Sequence, residues 1–167
     1  MLEKIISGGQ TGVDRAALDA ALEKGLACGG WCPSGRRAED GSIAPLYPVV
    51  ETERESYAER TLRNVQEADG TLILNRGPLV TGTAQTVKFA AREKKPYLIV
   101  NLDKRVRAKR ICDWLDKKGI RVLNVAGPRE SRSPGVYDRA RRLLRVVLEL
   151  QEDGGRRSKV EKDESSA

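Results

Sequence analysis

The sequence predicts an α/β fold: a three-layer, Rossmann-like domain built on a doubly wound parallel sheet of about five strands. Two observations lead to this fold class. Short, nearly all-apolar runs alternate along the chain with longer segments in which apolar residues recur every three or four positions. The runs are typical of strands buried on both faces of a parallel sheet, and the longer segments are typical of amphipathic helices.

Each element is predicted from its own pattern. Apolar runs predict strands at residues 4–7, 26–29, 70–75, 96–101 and 120–125, of which the second is the weakest. Helical periodicity predicts helices at residues 13–24, 57–68, 82–94, 107–118 and 135–152. Residues 30–53 have no periodicity and are rich in Gly and Pro, so we expect a long loop there. Right-handed crossovers on both sides of the first strand favour the strand order 2-1-3-4-5.

Length and composition limit the possible functions. The chain has 167 residues, which fits a single ligand-binding domain over residues 1–152 followed by a disordered charged tail at 153–167. It contains no apolar run of membrane-spanning length and no signal segment before the first strand, so we expect a cytoplasmic protein without a membrane partner. The absence of histidine excludes histidine-dependent catalysis and a zinc site that needs imidazole, and three cysteines are too few for an all-cysteine zinc site or a disulfide framework. The net charge of +7 predicts a phosphate-bearing partner, either nucleic acid or a small anionic ligand.

The loop SGGQTGVD after the first strand has the composition of an anion cradle. Glycines leave backbone N–H groups free to face an anion, and the following helix adds its unpaired N–H groups and the positive end of its dipole. Thr11 and Asp14 also have the spacing of a capping box, which is the alternative role for these two side chains. The loop residues that we predict to bind the ligand are Gly8, Gly9, Gln10, Thr11, Gly12 and Asp14.

Four further segments carry candidate binding residues. Gly77 and Gly82 give the backbone of a second loop, after the third predicted strand, more conformational freedom. In this loop Thr81 and Thr83 can cap the next helix or bind a ligand. The sheet order predicted above places this loop beside the first one. In the long loop, Trp31 can stack on a heterocycle, and Ser34, Arg36 and Arg37 can hold a phosphate; the alternative is a surface flap with Trp31 packed on the domain or on a subunit partner. Arg60 and Asn64 lie on a helical stripe with Tyr57 and Thr61, which faces either the ligand site between the two loops or solvent. Arg129 follows the last strand, in a segment that either binds an anion or is a linker whose serines cap the last helix.

These segments together resemble the putative molybdenum cofactor carrier family. The resemblance rests on SGGQTGVD, GGWCPSGRRAEDG, the stripe from Tyr57 to Asp69, Thr81–Thr83, Lys95-Pro96 and LNVAGPRESRSPGVY, in that order. It implies a Rossmann-like fold related to the SLOG and LOG (lysine-decarboxylase-like) group, and a homo-oligomer, either a dimer or a tetramer. It also implies that the protein binds molybdenum cofactor (molybdopterin) or another phosphorylated heterocycle.

The sequence departs from the related phosphoribohydrolases in the second loop. Their pattern PGGxGTxxE ends in a glutamate, and Thr86 stands at that position here. Glycoside cleavage usually needs two carboxylates at the scissile bond, so we expect a non-catalytic carrier. The alternatives are a nucleotide or nucleotide-sugar hydrolase that uses Asp14 or Asp40, and a basic nucleic-acid-binding module.

Overall fold

The computed structural model of the protein describes residues 1–79 and 81–164, with only the backbone described for Thr81 and residues 155–164. The strands of the main sheet are β1 (Lys4–Ile6), β2 (Ala27–Cys32), β5 (Val49–Glu51), β6 (Gly70–Asn75), β7 (Tyr97–Asn101) and β8 (Val122–Ala126). The helices are α1 (Val13–Glu23), α2 (Tyr57–Glu67), α3 (Thr81–Arg92), α4 (Ala108–Lys118) and α5 (Val136–Glu164). Two short strands, β3 (Arg37–Ala38) and β4 (Gly41–Ser42), form an antiparallel hairpin between β2 and β5.

The predicted fold class is confirmed: the main sheet is parallel throughout and is covered by helices on both faces. It has six strands because β5, from the predicted long loop, adds to β2 as an edge strand. The strand order is β5-β2-β1-β8-β6-β7, so the predicted order 2-1-3-4-5 is wrong. The last strand, β8, lies between β1 and β6, with Leu123 opposite Ile5 and Val125 opposite Leu72.

Packing against the sheet separates the helices into two layers. α1, α4 and α5 pack together on one face, and α2 and α3 pack on the other. Alanines at Ala16, Ala17 and Ala20 are fully buried, and these small side chains let α1 lie close to α5. The core beneath these helices is built from Ile5, Leu72, Leu74, Leu123, Val125, Ile111, Leu115, Leu144 and Val147.

The C-terminal helix extends past the predicted end of the domain. The backbone of α5 runs from Val136 to Glu164, so it is helical beyond residue 152. Residues 165–167 of the predicted tail lie outside the described residues. The division at residue 152 therefore stays a prediction. None of the helices in the described part of the chain is both long enough and apolar enough to cross a membrane.

Candidate functional site

A cavity of 310 Å³ opens at the carboxyl ends of β1 and β8 and at the N-terminus of α3, the helix that follows β6. Its volume lies at the lower end of the range for small-molecule sites, roughly 300–1,000 Å³. The polar and charged residues that line it are Gln10, Asp14, Tyr57, Arg60, Thr61, Asn64, Thr83, Gln85, Thr86, Asn124, Arg129 and Arg132. Gly8 and Gly82 also line it, so the two Gly-rich loops contribute to one cavity.

The first loop brings its backbone unusually close to two other parts of the chain. A Cβ on Gly8 would overlap with Nη1 of Arg60, so only glycine allows that guanidinium to lie over the loop. Gly12 has a φ of 76°, in the left-handed region, and a Cβ there would overlap with the backbone of Pro128. The loop after β1 and the loop after β8 are therefore in close contact at the floor of the cavity.

A buried ion pair lies on that floor. Nη1 of Arg60 donates to Oδ2 of Asp14 at 2.9 Å, and the two side chains are 15% and 4% exposed. Burial raises the pKa of Asp14, while Arg60 and the backbone N–H groups of Gln10 and Gly127 act in the opposite direction. The charge of Arg60, which was predicted to attract a ligand, is therefore already paired with a carboxylate of the protein itself. Thr11 does not cap α1, whose N-cap Gly12 makes no side-chain capping bond.

Two side-chain donors at the cavity lack an acceptor. Oε1 of Gln10 accepts from the backbone N–H groups of Thr11 at 3.0 Å and Glu39 at 2.9 Å, which fixes the orientation of the carboxamide. Nε2 of Gln10 and Nε of Arg60 are buried, and neither has a hydrogen-bond partner among the described residues. Buried donors are almost always paired in folded proteins. These two donors are therefore candidates to bind a ligand.

The second loop places a helix N-terminus on the opposite side of the cavity. Gly82, Thr83, Gln85 and Thr86 all belong to the first turns of α3 and line the cavity. The hydroxyl of Thr86 donates to the carbonyl of Gly82 at 3.0 Å. The first-turn N–H groups of a helix have no intrahelical acceptors, so this end of α3 favours an anion. Val80 lies outside the described residues, and the side chain of Thr81 is not described.

The polar stripe on α2 faces the cavity. Tyr57, Arg60, Thr61 and Asn64 all line it. Asn64 also holds α2 against β2, because its carboxamide accepts from the N–H of Trp31 at 2.8 Å and donates to the carbonyl of Trp31 at 2.9 Å. The ring of Tyr57 has the guanidinium groups of Arg60 and Arg129 at 5.9 and 6.0 Å.

Glu39 ties three loops together at the rim. Its carboxylate accepts from the hydroxyl of Thr11, and from the N–H (3.1 Å) and the hydroxyl of Ser131. Partial burial acts to raise the pKa of Glu39, but the hydrogen bonds from Ser131 and Thr11 and the charge of Arg129 outweigh it and hold the pKa below the usual value. The β3–β4 hairpin is thereby fastened to the first loop and to the loop after β8.

Several predicted binding residues lie outside the cavity lining. The indole of Trp31 lies under Arg63 at 4.7 Å and donates to Glu67 at 2.7 Å, on the outer side of α2. Arg37 pairs with Glu55 at the surface. Gly9, Thr11, Gly12, Ser34 and Gly77 do not line the cavity either. The carbonyl of Gly9 accepts from Arg15, the N–H of Ser34 donates to the carbonyl of Arg54, and the N–H of Gly77 donates to the carboxylate of Asp103. A ligand contact for these residues stays a prediction that their observed contacts do not support.

Arg36 holds the long loop together instead of facing the cavity. Its guanidinium donates to the backbone carbonyls of Ile43, Ala44, Tyr47 and Val49, at 2.9 to 3.0 Å. Four of its five N–H groups are engaged in these bonds, so in this arrangement the side chain cannot hold a phosphate through two parallel hydrogen bonds.

We expect Arg36→Met to lower the free energy of unfolding by about 1–3 kcal/mol, because the four carbonyls lose their shared donor. Ligand affinity should fall much less than stability does. Urea unfolding measures the first quantity, and Arg37→Met is the matched control, because the surface pair of Arg37 contributes less than about 1 kcal/mol. Equal stability of the two variants would contradict the structural role of Arg36.

Sequence reasoning did not predict a ligand contact for four side chains that line the cavity. These are Gln85, Thr86, Asn124 and Arg132. Helical spacing from Gly82 places positions 85 and 86 on the same side of α3, which is the signal that would have found Gln85 and Thr86. Asn124 lies on β8, which the predicted strand order placed away from β1. Among the described side chains, no group of three or more His, Cys, Asp or Glu residues could hold a metal ion.

The fold and this cavity define a class: Rossmann-like α/β proteins with a polar cavity at the carboxyl edge of a parallel sheet. The chain belongs to the circularly permutated YpsA SLOG family, whose model matches residues 5–148. It is also similar to a solved structure from Syntrophus aciditrophicus SB, described as a "Putative molybdenum carrier protein". That similarity has a TM-score of 0.84 and 44% sequence identity, and it covers 88% of this chain and 95% of the other. The search of curated proteins gave no match. The predicted family resemblance is confirmed.

Proposed function

We propose that the protein is a carrier that holds a small phosphorylated heterocycle in the central cavity, either molybdenum cofactor or a similar phosphorylated pterin or nucleotide. The observation that carries this proposal is the pair of buried donors without acceptors, Nε2 of Gln10 and Nε of Arg60. We expect an anionic group bound in the cavity to accept from these donors. The similar solved structure, described as a molybdenum carrier, supports the choice of cargo.

Different sides of the cavity are suited to bind different parts of the ligand. The N-terminus of α3 and the free donors of Gln10 and Arg60 bind the anionic group. Tyr57, at the opening, is partly exposed and offers its ring to a planar heterocycle. Arg129 and Arg132 add positive charge to the lining. The metal of a cofactor need not be ligated by the protein: Cys32 is fully buried, and burial raises the pKa of its thiol.

The contacts favour a carrier over a hydrolase. Asp14 is the single carboxylate among the described residues that line the cavity, and it is paired with Arg60. Asp40, the other candidate acid, is not in the lining, and it pairs with Arg15 at 2.9 Å. Hydrolysis of a glycosidic bond by the usual route needs two carboxylates on either side of that bond. Thr86 occupies the cavity where the related hydrolases have a glutamate.

Gln10→Glu tests the free donor directly. The new carboxylate keeps an acceptor for Thr11 and Glu39 but replaces the Nε2 donor with a negatively charged oxygen. We expect the affinity for guanosine monophosphate, a phosphorylated fused heterocycle, to fall about 10- to 100-fold, since a hydrogen bond to a charged group is worth about 1.5–3 kcal/mol. Isothermal titration calorimetry measures it.

The matched control is Gln66→Glu, which makes the same charge change on the exposed side of α2, where Nε2 of Gln66 donates to Glu93. Its affinity should equal that of the unaltered protein. If Gln10→Glu binds as tightly as Gln66→Glu does, the free donor at position 10 has no part in ligand binding.

Native mass spectrometry of the protein purified from its own host tests the function as a whole. The proposal expects a bound phosphorylated heterocycle, with or without molybdenum. The same spectra count the subunits of the homo-oligomer, a dimer or tetramer, that we propose to act in the cytoplasm. A protein that retains no small molecule and binds no nucleoside monophosphate or pterin phosphate would contradict a carrier, and release of free base from a nucleoside monophosphate would establish the hydrolase instead.

A further inference from the structure

A second, shallower groove lies between the segment that follows β7 and the first turns of α5. It has a volume of 360 Å³ and is lined by Leu102, Lys104, Val106, Arg139, Arg142 and Leu143. Its apolar residues are Leu102, Val106 and Leu143, and its basic ones are Lys104, Arg139 and Arg142. Leu102 is buried in the core, so the apolar surface that the groove offers comes from Val106 and Leu143, which are partly buried, and it lies beside basic side chains on both sides.

Two of the three basic side chains that line this groove, Lys104 and Arg142, have no carboxylate partner among the described residues. Within the described part of the chain, no carboxylate lies within 4.0 Å of the basic side chains of Lys104, Arg105, Arg107 or Arg142. Arg139 approaches Asp103 at 3.5 Å and donates to the carbonyl of Leu102 at 3.1 Å, which keeps its guanidinium at the groove. Unpaired like charges held close together raise the local potential and attract an anionic surface.

The groove and the central cavity open on the same edge of the sheet. Leu102 follows the end of β7, and Arg132 of the cavity follows the end of β8. Arg76 connects the two regions, because it donates to Asp103 and to the carbonyl of Pro134, each at 2.8 Å. A macromolecule bound at the groove would therefore meet the edge of the sheet at which the cavity opens.

We propose that this groove docks an acidic segment of a partner protein that carries an apolar side chain between its carboxylates. Val106 and Leu143, the partly buried apolar residues, contact the apolar side chain, and Lys104 and Arg142 pair with carboxylates beside it. A single nucleic acid strand fits less well, since such strands bind on aromatic platforms and none of the six lining residues is aromatic. The choice of this edge rests on the proposed carrier function, because a recipient of the cargo must approach the cavity.

Fluorescence anisotropy with a short labelled peptide of Asp and Glu residues around two Leu residues tests the docking surface. We expect the double charge reversal Lys104→Glu, Arg142→Glu to weaken peptide binding about tenfold or more, and added salt to weaken the binding of the unaltered protein. The matched control is Lys88→Glu, Lys117→Glu, the same charge change at two exposed lysines of α3 and α4 without a side-chain partner among the described residues.

Three results would overturn the proposal. These are equal peptide binding by both double variants, equal binding of a peptide with Ser in place of Leu, and tighter binding of an oligouridine that depends on Lys104 and Arg142. Titration with guanosine monophosphate separates this proposal from the carrier function. The groove variant should keep its affinity for the nucleotide, and Gln10→Glu should keep its affinity for the peptide. If the unaltered protein binds the peptide but not guanosine monophosphate, the result counts against the carrier function and not against the groove.

Discussion

Arg60→Met is expected to lower the free energy of unfolding by about 3–5 kcal/mol, the usual cost of leaving one partner of a buried ion pair without the other. Asp14 is buried, and Arg60 is its ion-pair partner among the described residues. Methionine fills much of the space of the arginine stem, so the loss reports the unpaired carboxylate more than a cavity. Urea unfolding at neutral pH measures the change.

The deficit of Arg60→Met should depend on pH. The pKa of Asp14 is already raised above 3.8 by burial, so the folded protein binds this proton more readily than the unfolded chain does. Stability therefore falls as the pH rises from about 4 through the folded-state pKa of Asp14. Because Arg60 lowers the pKa of Asp14, its removal raises that pKa and extends to higher pH the range over which stability falls. The free energy of unfolding of the variant should differ least from that of the unaltered protein in acid, and most at a pH above this range.

Two controls separate the buried pair from a general effect of losing an arginine. Arg63→Met removes a partly exposed arginine of the same helix, which pairs with Glu59 and lies over the ring of Trp31, and it should cost about 1 kcal/mol. Adding Asp14→Asn to Arg60→Met removes the unpaired charge and should recover part of the loss. A deficit for Arg60→Met that is no larger than that of Arg63→Met, or that is constant with pH, would contradict this account.

Gly127→Ala is expected to destabilise the protein by about 3 kcal/mol, at the upper end of the range for overpacking. A Cβ at this position would overlap with the carbonyl oxygen of Leu74 and with the side chain of Val13. The first of these is backbone of a central strand, which cannot rotate away. Thermal or urea unfolding measures the loss, and the shift of the loop should also weaken ligand binding.

Gly82→Ala is the matched control for Gly127→Ala, because both glycines line the same cavity. A Cβ on Gly82 has no described neighbour within 4 Å, and alanine is the better helix former by up to about 1 kcal/mol. Stability should therefore stay the same or rise. If the two alanine variants unfold at the same urea concentration, that result would contradict the close contact between Gly127, in the loop after β8, and Leu74 of β6.

The sequence allowed the two Gly-rich loops to be placed at one site even though the strand order was wrong. The loops follow β1 and β6, which the prediction put next to each other. β8 in fact separates them, but the cavity extends from the loop after β1 to the N-terminus of α3, so Gly8 and Gly82 both line it. The position of β8 could not be predicted, because its apolar pattern shows that it is buried and does not identify its neighbours.

The long loop was harder to predict, for two physical reasons. The second strand runs to Cys32 and not to Gly29, so Trp31 lies within a strand, and its packing against α2 takes it away from the cavity. Arg36 binds carbonyls that come together only when the loop folds back on itself. The contact between Asp14 and Arg60 joins two helices that are far apart in sequence, and local patterns carry no signal for such a pair.

A crystal soaked in phosphate tests the central claim most directly. The account predicts tetrahedral density in the cavity, within hydrogen-bond distance of Nε2 of Gln10 or Nε of Arg60 and facing the N-terminus of α3. Density at the Lys104 and Arg142 groove alone, or an empty cavity in crystals whose phosphate concentration exceeds the dissociation constant measured in solution, would contradict it.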